Sequence, residues 1–190
     1  MLSKLHSFFL KISNPFSVAA FAVLSLYMLW LIQVHGLPGI PGFNADLRIG
    51  LPDMMLTYSP SSIFEKLVLF GPNGRTAYRA FLERVDSLFP LIYGLFLVMA
   101  TTFGLASLFP NRPALQKLSL LTLGTSLFDY AENICFLAML HSFPRELHNL
   151  EKIANVFTLV KWAFAAGSML FVVILALGML LPNRKLQASA

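Results

Sequence analysis

Residues 118–140 read LSLLTLGTSLFDYAENICFLAML, and this stretch decides the fold. It is long and apolar enough for a membrane-spanning helix, yet it carries Asp129, Glu132 and Asn133. An ionisable side chain at membrane depth costs at least about 2.5–3.5 kcal/mol, so it is normally paired or faces a polar cavity. The two acids stand about one helical turn apart, which raises the question of what neutralises them.

The rest of the chain carries three further apolar runs and little charge. Of its 190 residues, 57% are hydrophobic and 12% are charged, whereas soluble domains carry about 25% charged residues. The four runs are Phe16–His35, Leu88–Phe109, Leu118–Leu140 and Val156–Leu181. Each is about 20 residues or longer, the length needed to cross a hydrocarbon core of roughly 30 Å. This pattern excludes a soluble globular domain.

These runs predict an all-α fold, a polytopic membrane protein with a four-transmembrane-helix bundle. A single integral membrane domain covers residues 1–190, with spans at about 16–35, 86–109, 115–141 and 154–181. The first run is too long for the apolar region of a signal peptide, roughly 7–15 residues, so we expect it to be a retained span. The single cysteine, Cys135, lies in the third run and excludes paired-cysteine redox chemistry.

The basic residues predict the orientation. The N-terminus, the linker 110–117 and the C-terminal tail carry Lys and Arg without Asp or Glu, whereas the opposite side mixes bases with acids. Because Lys and Arg accumulate on the cytoplasmic side, we expect both termini in the cytoplasm of a multi-pass cell-membrane protein. The basic pI of 9.6 fits attraction to anionic membrane lipids. No basic stripe with interleaved aromatics indicates nucleic-acid binding, and the sequence does not indicate an oligomeric state.

The extracytoplasmic loop 36–74 is the one sizeable region outside the predicted spans. Its first part is rich in Gly and Pro and favours turns. Ser59-Pro60 then begins a short helix, Ser61–Phe70, which we expect to stop at Gly71-Pro72. Its apolar residues recur at helical spacing, so the helix either lies on the outer membrane surface or caps the bundle. An inert connector is the alternative, and we favour a packed cap.

Polar residues of different predicted helices converge in the outer half of the membrane. At 1.5 Å per residue, Asp129 lies about 22 Å above Ala114, and Lys161 lies about 30 Å above Leu181. On the same count Asp86 belongs to the outer half of the second span, with Arg79 above it. We therefore predict that Lys161 neutralises Glu132 or Asp129 and that Arg79 pairs with Glu83 or Asp86. The candidate ligand-binding residues are Asp86, Asp129, Glu132, Asn133 and Lys161, with Arg79 supporting them.

Pro90 falls within the second predicted span. A proline inside a helix excludes the usual hydrogen bond to the carbonyl four residues earlier, here that of Asp86. A kink with a free carbonyl beside a carboxylate is one interpretation. An ordinary accommodation by neighbouring helices is at least as good an interpretation.

Three functions fit these residues. The first is an outward-facing intramembrane polar pocket that binds a small molecule or a lipid headgroup, because intramembrane ionisable residues usually serve a function. The second is a structural or assembly protein whose buried charges only fix helix packing. The third is a membrane-embedded acid–base enzyme acting on a lipid, in which Asp129 and Glu132 share a proton. We expect no cofactor and no metal, since the sequence has no nucleophile motif, phosphate loop, cofactor fingerprint or metal-ligand spacing. Membrane lipids are the expected partners.

Overall fold

The computed structural model describes residues 2–35, 51–52, 55–59 and 62–181, and the first part of the predicted loop lies outside these ranges. The described chain is all-α, without strands. Its helices are α1 (Leu2–Ile12), α2 (Pro15–His35), α3 (Ser62–Arg84), α4 (Phe89–Leu108), α5 (Pro113–Gln116), a 3-10 helix (Lys117–Thr122), α6 (Leu123–Ser142) and α7 (His148–Leu180).

Within these ranges, three helical stretches are long and apolar enough to cross a membrane, which indicates a membrane protein. They are Pro15–Ile32, Ser62–Leu108 and His148–Leu180. The second stretch contains α3, the turn after it and α4. The third predicted span is not among them. It begins as α5 and a 3-10 helix, and the polar residues of the 20-residue α6 lower its hydropathy.

Helix α4 lies at the centre of the helix assembly. Helices α1, α2, α6 and α7 all pack against it, and α6 and α7 share the most extensive contact. Side-chain hydrogen bonds show that α6 runs antiparallel to α4, because Thr102 pairs with Ser119 near one end and Tyr130 with Ser87 near the other. Helix α7 also runs antiparallel to α6, because Thr125 pairs with Ser168 and Glu132, further along α6, pairs with Thr158. We call the end at which α6 joins α7 the α6–α7 end.

Helix α3 consists of two helical segments that meet at a kink. The first segment, 62–70, ends at Gly71-Pro72 as predicted, and a second segment follows up to Arg84. Gly71 takes a φ of 65°, a left-handed conformation that glycine adopts without a Cβ clash, and Pro72 follows as the first residue of the second half. One face of α3 is buried with Phe136 and Met139 of α6 in one hydrophobic core cluster. The helix thus covers the α6–α7 end.

A close approach joins α4 to α6. A Cβ added at Gly94 would overlap the hydroxyl of Ser126, which itself donates a 2.6 Å hydrogen bond to the Pro90 carbonyl. Small residues allow backbones to approach in this way. A Cβ added at Gly167 would meet nothing within 4 Å, so this glycine does not mediate a helix contact.

Helix α1 bends away from α2 at Ser13 and Asn14. Asn14 caps α2: its side chain accepts the Ser17 N–H at 3.0 Å, and the Ser17 hydroxyl accepts the Asn14 N–H at 3.0 Å. This reciprocal pattern is a capping box. On α1 itself, Phe9 packs against Val98 and Met99 of α4, so this short helix is docked on the assembly.

Candidate functional site

A cavity of about 440 Å³ lies between α2, α4, α6 and α7. Most of the side chains that line it are apolar or aromatic. The polar exceptions include three of the six predicted site residues, Asp86, Asp129 and Lys161. The other lining residues are Ala22, Ser25, Leu26, Leu29, Ile32, Phe89, Tyr93, Phe96, Leu97, Thr125, Trp162, Ala165 and Met169.

The innermost polar contact is between Glu132 and Lys161. Glu132 on α6 is fully buried, and one carboxylate oxygen forms an ion pair with the Lys161 ammonium of α7. Its other oxygen accepts a hydrogen bond from the hydroxyl of Thr158, one turn before Lys161. The predicted neutralisation of Glu132 by Lys161 is therefore present. Glu132 stands behind the cavity and does not line it.

Asp129 faces the cavity one turn away on α6. The Tyr93 hydroxyl of α4 donates a 2.6 Å hydrogen bond to Asp129 Oδ2. The Lys161 ammonium lies 3.5 Å from Asp129 Oδ1 and much closer to Glu132. Lys161 thus bridges the two carboxyls, whereas the enzyme alternative had Asp129 and Glu132 share a proton directly.

Asp86 lies in the turn that joins α3 to α4, not on the second span as predicted. The chain leaves the helix after Arg84 and resumes it at Phe89. Asn133 of α6 donates a 2.6 Å hydrogen bond to Asp86 Oδ2, and its Nδ2 lies 3.4 Å from the Asp86 carbonyl oxygen. Asn133 thereby ties this turn to α6 from behind the cavity.

The interpretation of Pro90 as a mid-helix kink is wrong. Pro90 stands in the first turn of α4, where its missing N–H leaves no internal hydrogen bond unmade. Its own carbonyl accepts the Ser126 hydroxyl, as described above. The residue starts a helix.

The predicted pairing of Arg79 is wrong as well. Within the described residues, no ion pair joins Arg79 to Glu83 or Asp86, and Arg79 does not line the cavity. The prediction extended one helix face from Arg79 to Asp86. The turn at residues 85–88 interrupts that face, so Arg79 stays half-buried on α3.

Tyr93 and Thr158 are not among the site residues predicted from the sequence. Both supply hydroxyl groups to the acidic pair, and their positions at helical spacing from Pro90 and Lys161 were the available signal. Trp162 was missed. Its ring lines the cavity beside Lys161, and its Nε1 donates a 3.0 Å hydrogen bond to the Met55 carbonyl.

The described part of the predicted loop packs over α7. Asn155 accepts hydrogen bonds through Oδ1 from the Thr57 hydroxyl at 3.0 Å and the Tyr58 N–H at 3.1 Å. The Tyr58 ring is buried, its hydroxyl lies 3.3 Å from Thr158 Oγ1, and burial raises the pKa of Tyr58 above its ordinary value. The loop thus contacts the network around Glu132 through two hydroxyls, those of Tyr58 and Thr158.

A second group of ionisable side chains lies at the start of α7. One donor atom each of Glu146, His148 and Glu151 falls within 4.8 Å of the others. Glu146 and His148 are exposed, whereas Glu151 is buried and accepts the Phe64 N–H of α3 at 2.9 Å. Glu151 therefore connects α3 to α7.

Comparison of the chain with protein-family models, with curated proteins and with solved structures found no match.

Proposed function

We propose that this protein is a small integral membrane protein that binds an amphipathic small molecule or a lipid in its cavity. In this proposal α2, α4, α6 and α7 cross the membrane as a four-helix bundle, with both termini in the cytoplasm. The α6–α7 end then faces outward, with α3 as a cap, and the polar residues lie in the outer half of the membrane. The polar head of the ligand binds near Asp129 and Lys161.

The cavity is the observation that carries this proposal. Its volume of about 440 Å³ falls within the roughly 300–1,000 Å³ of ligand pockets. Such pockets combine mostly apolar linings with a few polar groups that orient the ligand. Asp129 and Lys161 supply those groups in a place where an ionisable residue is otherwise costly.

The helices also suggest the length of the ligand. Ala22 and Ile32 both line the cavity, and ten residues of helix span about 15 Å. Lys161 and Met169 of α7 are separated by about 12 Å on the same rule. The part of the cavity between these two polar residues, Asp129 and Lys161, and its end at Ala22 and Met169 is lined mainly by apolar side chains. This shape suits a ligand with a polar head and an apolar body.

A purely structural role is the second candidate, and one observation favours it. Glu132 is fully buried and has both oxygens engaged, by Thr158 and Lys161. Such a closed contact fixes the register of α6 against α7 without any ligand. Buried polar groups confer this kind of specificity in some proteins. The lipid-modifying enzyme stays a prediction, and the ammonium between the two carboxyls is an argument against it.

Three variants separate binding from structure. Asp129→Asn changes the cavity lining, Glu132→Gln changes the contact behind it, and Ala165→Phe fills the cavity with a ring. Each protein is purified in mild detergent, its melting temperature is measured, and copurified lipids and small molecules are identified by native mass spectrometry. The proposal predicts a bound molecule in the wild type that is lost in Ala165→Phe while melting stays near normal.

The opposite result favours the structural role. If the wild type carries no molecule that Ala165→Phe lacks, the cavity is not a binding site. If Asp129→Asn and Glu132→Gln both melt far below the wild type, the charges serve packing.

A further inference from the structure

We infer that the cavity selects amphiphiles with a positively charged amine head over those with neutral or anionic heads. The head group binds at the carboxylate of Asp129. This inference rests on the proposed function and adds the charge class of the ligand.

The count of charges on α6 and α7 supports a cation. Asp129 and Glu132 carry two carboxylates, and among the described residues Lys161 carries the one ammonium that contacts both. That ammonium lies against Glu132, which is behind the cavity, and is 3.5 Å from Asp129, which lines it. This group of three side chains therefore has one formal negative charge in excess, on the side that faces the cavity.

The hydrogen bonds of Asp129 also favour a cationic ligand. An ionised carboxylate offers about four acceptor sites. Tyr93 uses one site on Oδ2, and the long contact with Lys161 is on Oδ1. An amine head donates a charge-assisted hydrogen bond to Oδ1, and such bonds are about twice as strong as neutral ones. An alcohol head donates a neutral bond, and a carboxylate head meets like charge.

Aromatic rings around the cavity strengthen the preference. Four rings line it, those of Phe89, Tyr93, Phe96 and Trp162. The Trp162 ring centroid already lies 5.5 Å from the Lys161 ammonium. The faces of such rings attract cations, and they recognise substituted ammonium groups in other proteins. Rings and a partly neutralised carboxylate together form a site for an organic cation.

Three probes with one tail test this inference. Dodecylamine, dodecanol and dodecanoate share a twelve-carbon chain and differ in the charge of the head. Binding of each is measured by isothermal titration to the full chain in lipid nanodiscs at neutral pH. The Ala165→Phe protein serves as the reference for partition into the lipid. We expect dodecylamine to bind the wild type at least about tenfold more tightly than dodecanol, and dodecanoate to bind least.

Two isosteric variants test the role of the carboxylates. Asp129→Asn removes the negative charge on the cavity side and brings amine and alcohol to within about threefold of each other. Glu132→Gln leaves Asp129 in place but frees Lys161 to approach it, so the amine preference shrinks as well. Because Glu132 does not line the cavity, this second variant keeps the inference testable if Asp129→Asn fails to fold.

The results distinguish two kinds of failure. Equal binding of the three probes to the wild type, with binding lost in Ala165→Phe, overturns the amine preference and leaves the proposed pocket intact. An amine preference that persists in both carboxylate variants also overturns it. Binding that is the same in the wild type and in Ala165→Phe, for every probe, overturns the proposed function itself.

Discussion

Lys161 of α7 and Glu132 of α6 form an ion pair in which the carboxylate is fully buried. Lys161 is buried as well, although its side chain also lines the cavity. Removing one partner of a buried pair leaves the other charge without compensation, whereas removing both charges leaves none. The packing of α6 against α7 therefore depends on keeping a positive charge at Lys161.

The first prediction concerns this pair. Lys161→Met should destabilise the protein by about 3–5 kcal/mol, because it leaves the Glu132 carboxylate uncompensated. Adding Glu132→Gln should recover at least about 1 kcal/mol of that loss, since an amide carries no charge. Unfolding midpoints in a detergent titration give both values. A double variant whose loss equals the sum of the two single losses would show that the two residues are not coupled.

The second prediction compares two glycines. Gly94→Ala should lower stability by about 1–3 kcal/mol, because the new methyl group displaces the Ser126 hydroxyl from the Pro90 carbonyl. Gly167→Ala is the matched control, since nothing lies within 4 Å of the Cβ position there. It should be neutral or slightly stabilising. Equal losses in the two proteins, measured by thermal melting, would contradict the close approach of α4 and α6.

The third prediction concerns the docking of α1 and pH. His6 is buried, and burial together with the Lys117 charge holds the pKa of His6 below its ordinary value of 6.5. When α1 is undocked, His6 takes up a proton as pH falls through 6.5, whereas docked His6 stays neutral until its lower pKa is reached. The undocked state binds more protons in this window, so docking weakens as pH falls below 6.5.

Maleimide labelling at residue 9 measures that docking. Phe9→Cys, in a Cys135→Ala background, places a thiol at the contact between α1 and α4. Its labelling rate, corrected for the pH dependence of thiol reactivity, should rise as pH falls from 7 toward 5. Adding His6→Asn should remove this rise. A rise of the same size with asparagine in place would assign the effect to another group.

The fourth prediction concerns the loop. Asn155→Ala removes the acceptor for the Thr57 hydroxyl and the Tyr58 N–H, so residues 55–59 should detach from α7 more often. Hydrogen exchange at the Tyr58 amide should speed up by roughly tenfold, as expected for a loss near 1.4 kcal/mol. Asn149→Ala, at an exposed position of the same helix, is the control. Unchanged exchange in Asn155→Ala would show that other contacts hold the loop.

The pairing of α6 with α7 could be predicted from the sequence because helical rise is regular. Counting residues brought Lys161 to the depth of Asp129 and Glu132, and the ion pairs of the structure agree. The prediction that Arg79 pairs with Asp86 also assumed one continuous helix, and this assumption fails between the two residues. The chain breaks its helix between Arg84 and Phe89. The signal for this break was Pro90, which is typical of a first helical turn but was interpreted as lying inside a helix.

The cavity itself could not be predicted from the sequence. Its α2 wall consists of ordinary apolar residues such as Leu26 and Leu29, which look the same whether they face lipid, a neighbouring helix or an enclosed space. Only tertiary packing separates those environments. The hydrogen bond from Tyr93 to Asp129 could not be predicted for the same reason. Helical spacing places a hydroxyl on one face of a helix but does not determine which neighbouring side chain it contacts.

Under the proposed function, the position of α2 affects which ligands fit the cavity. Helix α2 forms one wall, packs mainly on α4, and leaves most of its apolar side chains exposed. A wall supported on one side yields more easily than a close-packed interior, which resists even one added methylene. Longer tails can therefore push α2 outward, and affinity should rise smoothly with chain length without a sharp cutoff. If the proposed function is right, the protein will discriminate between ligands by their head groups and accept tails of different length.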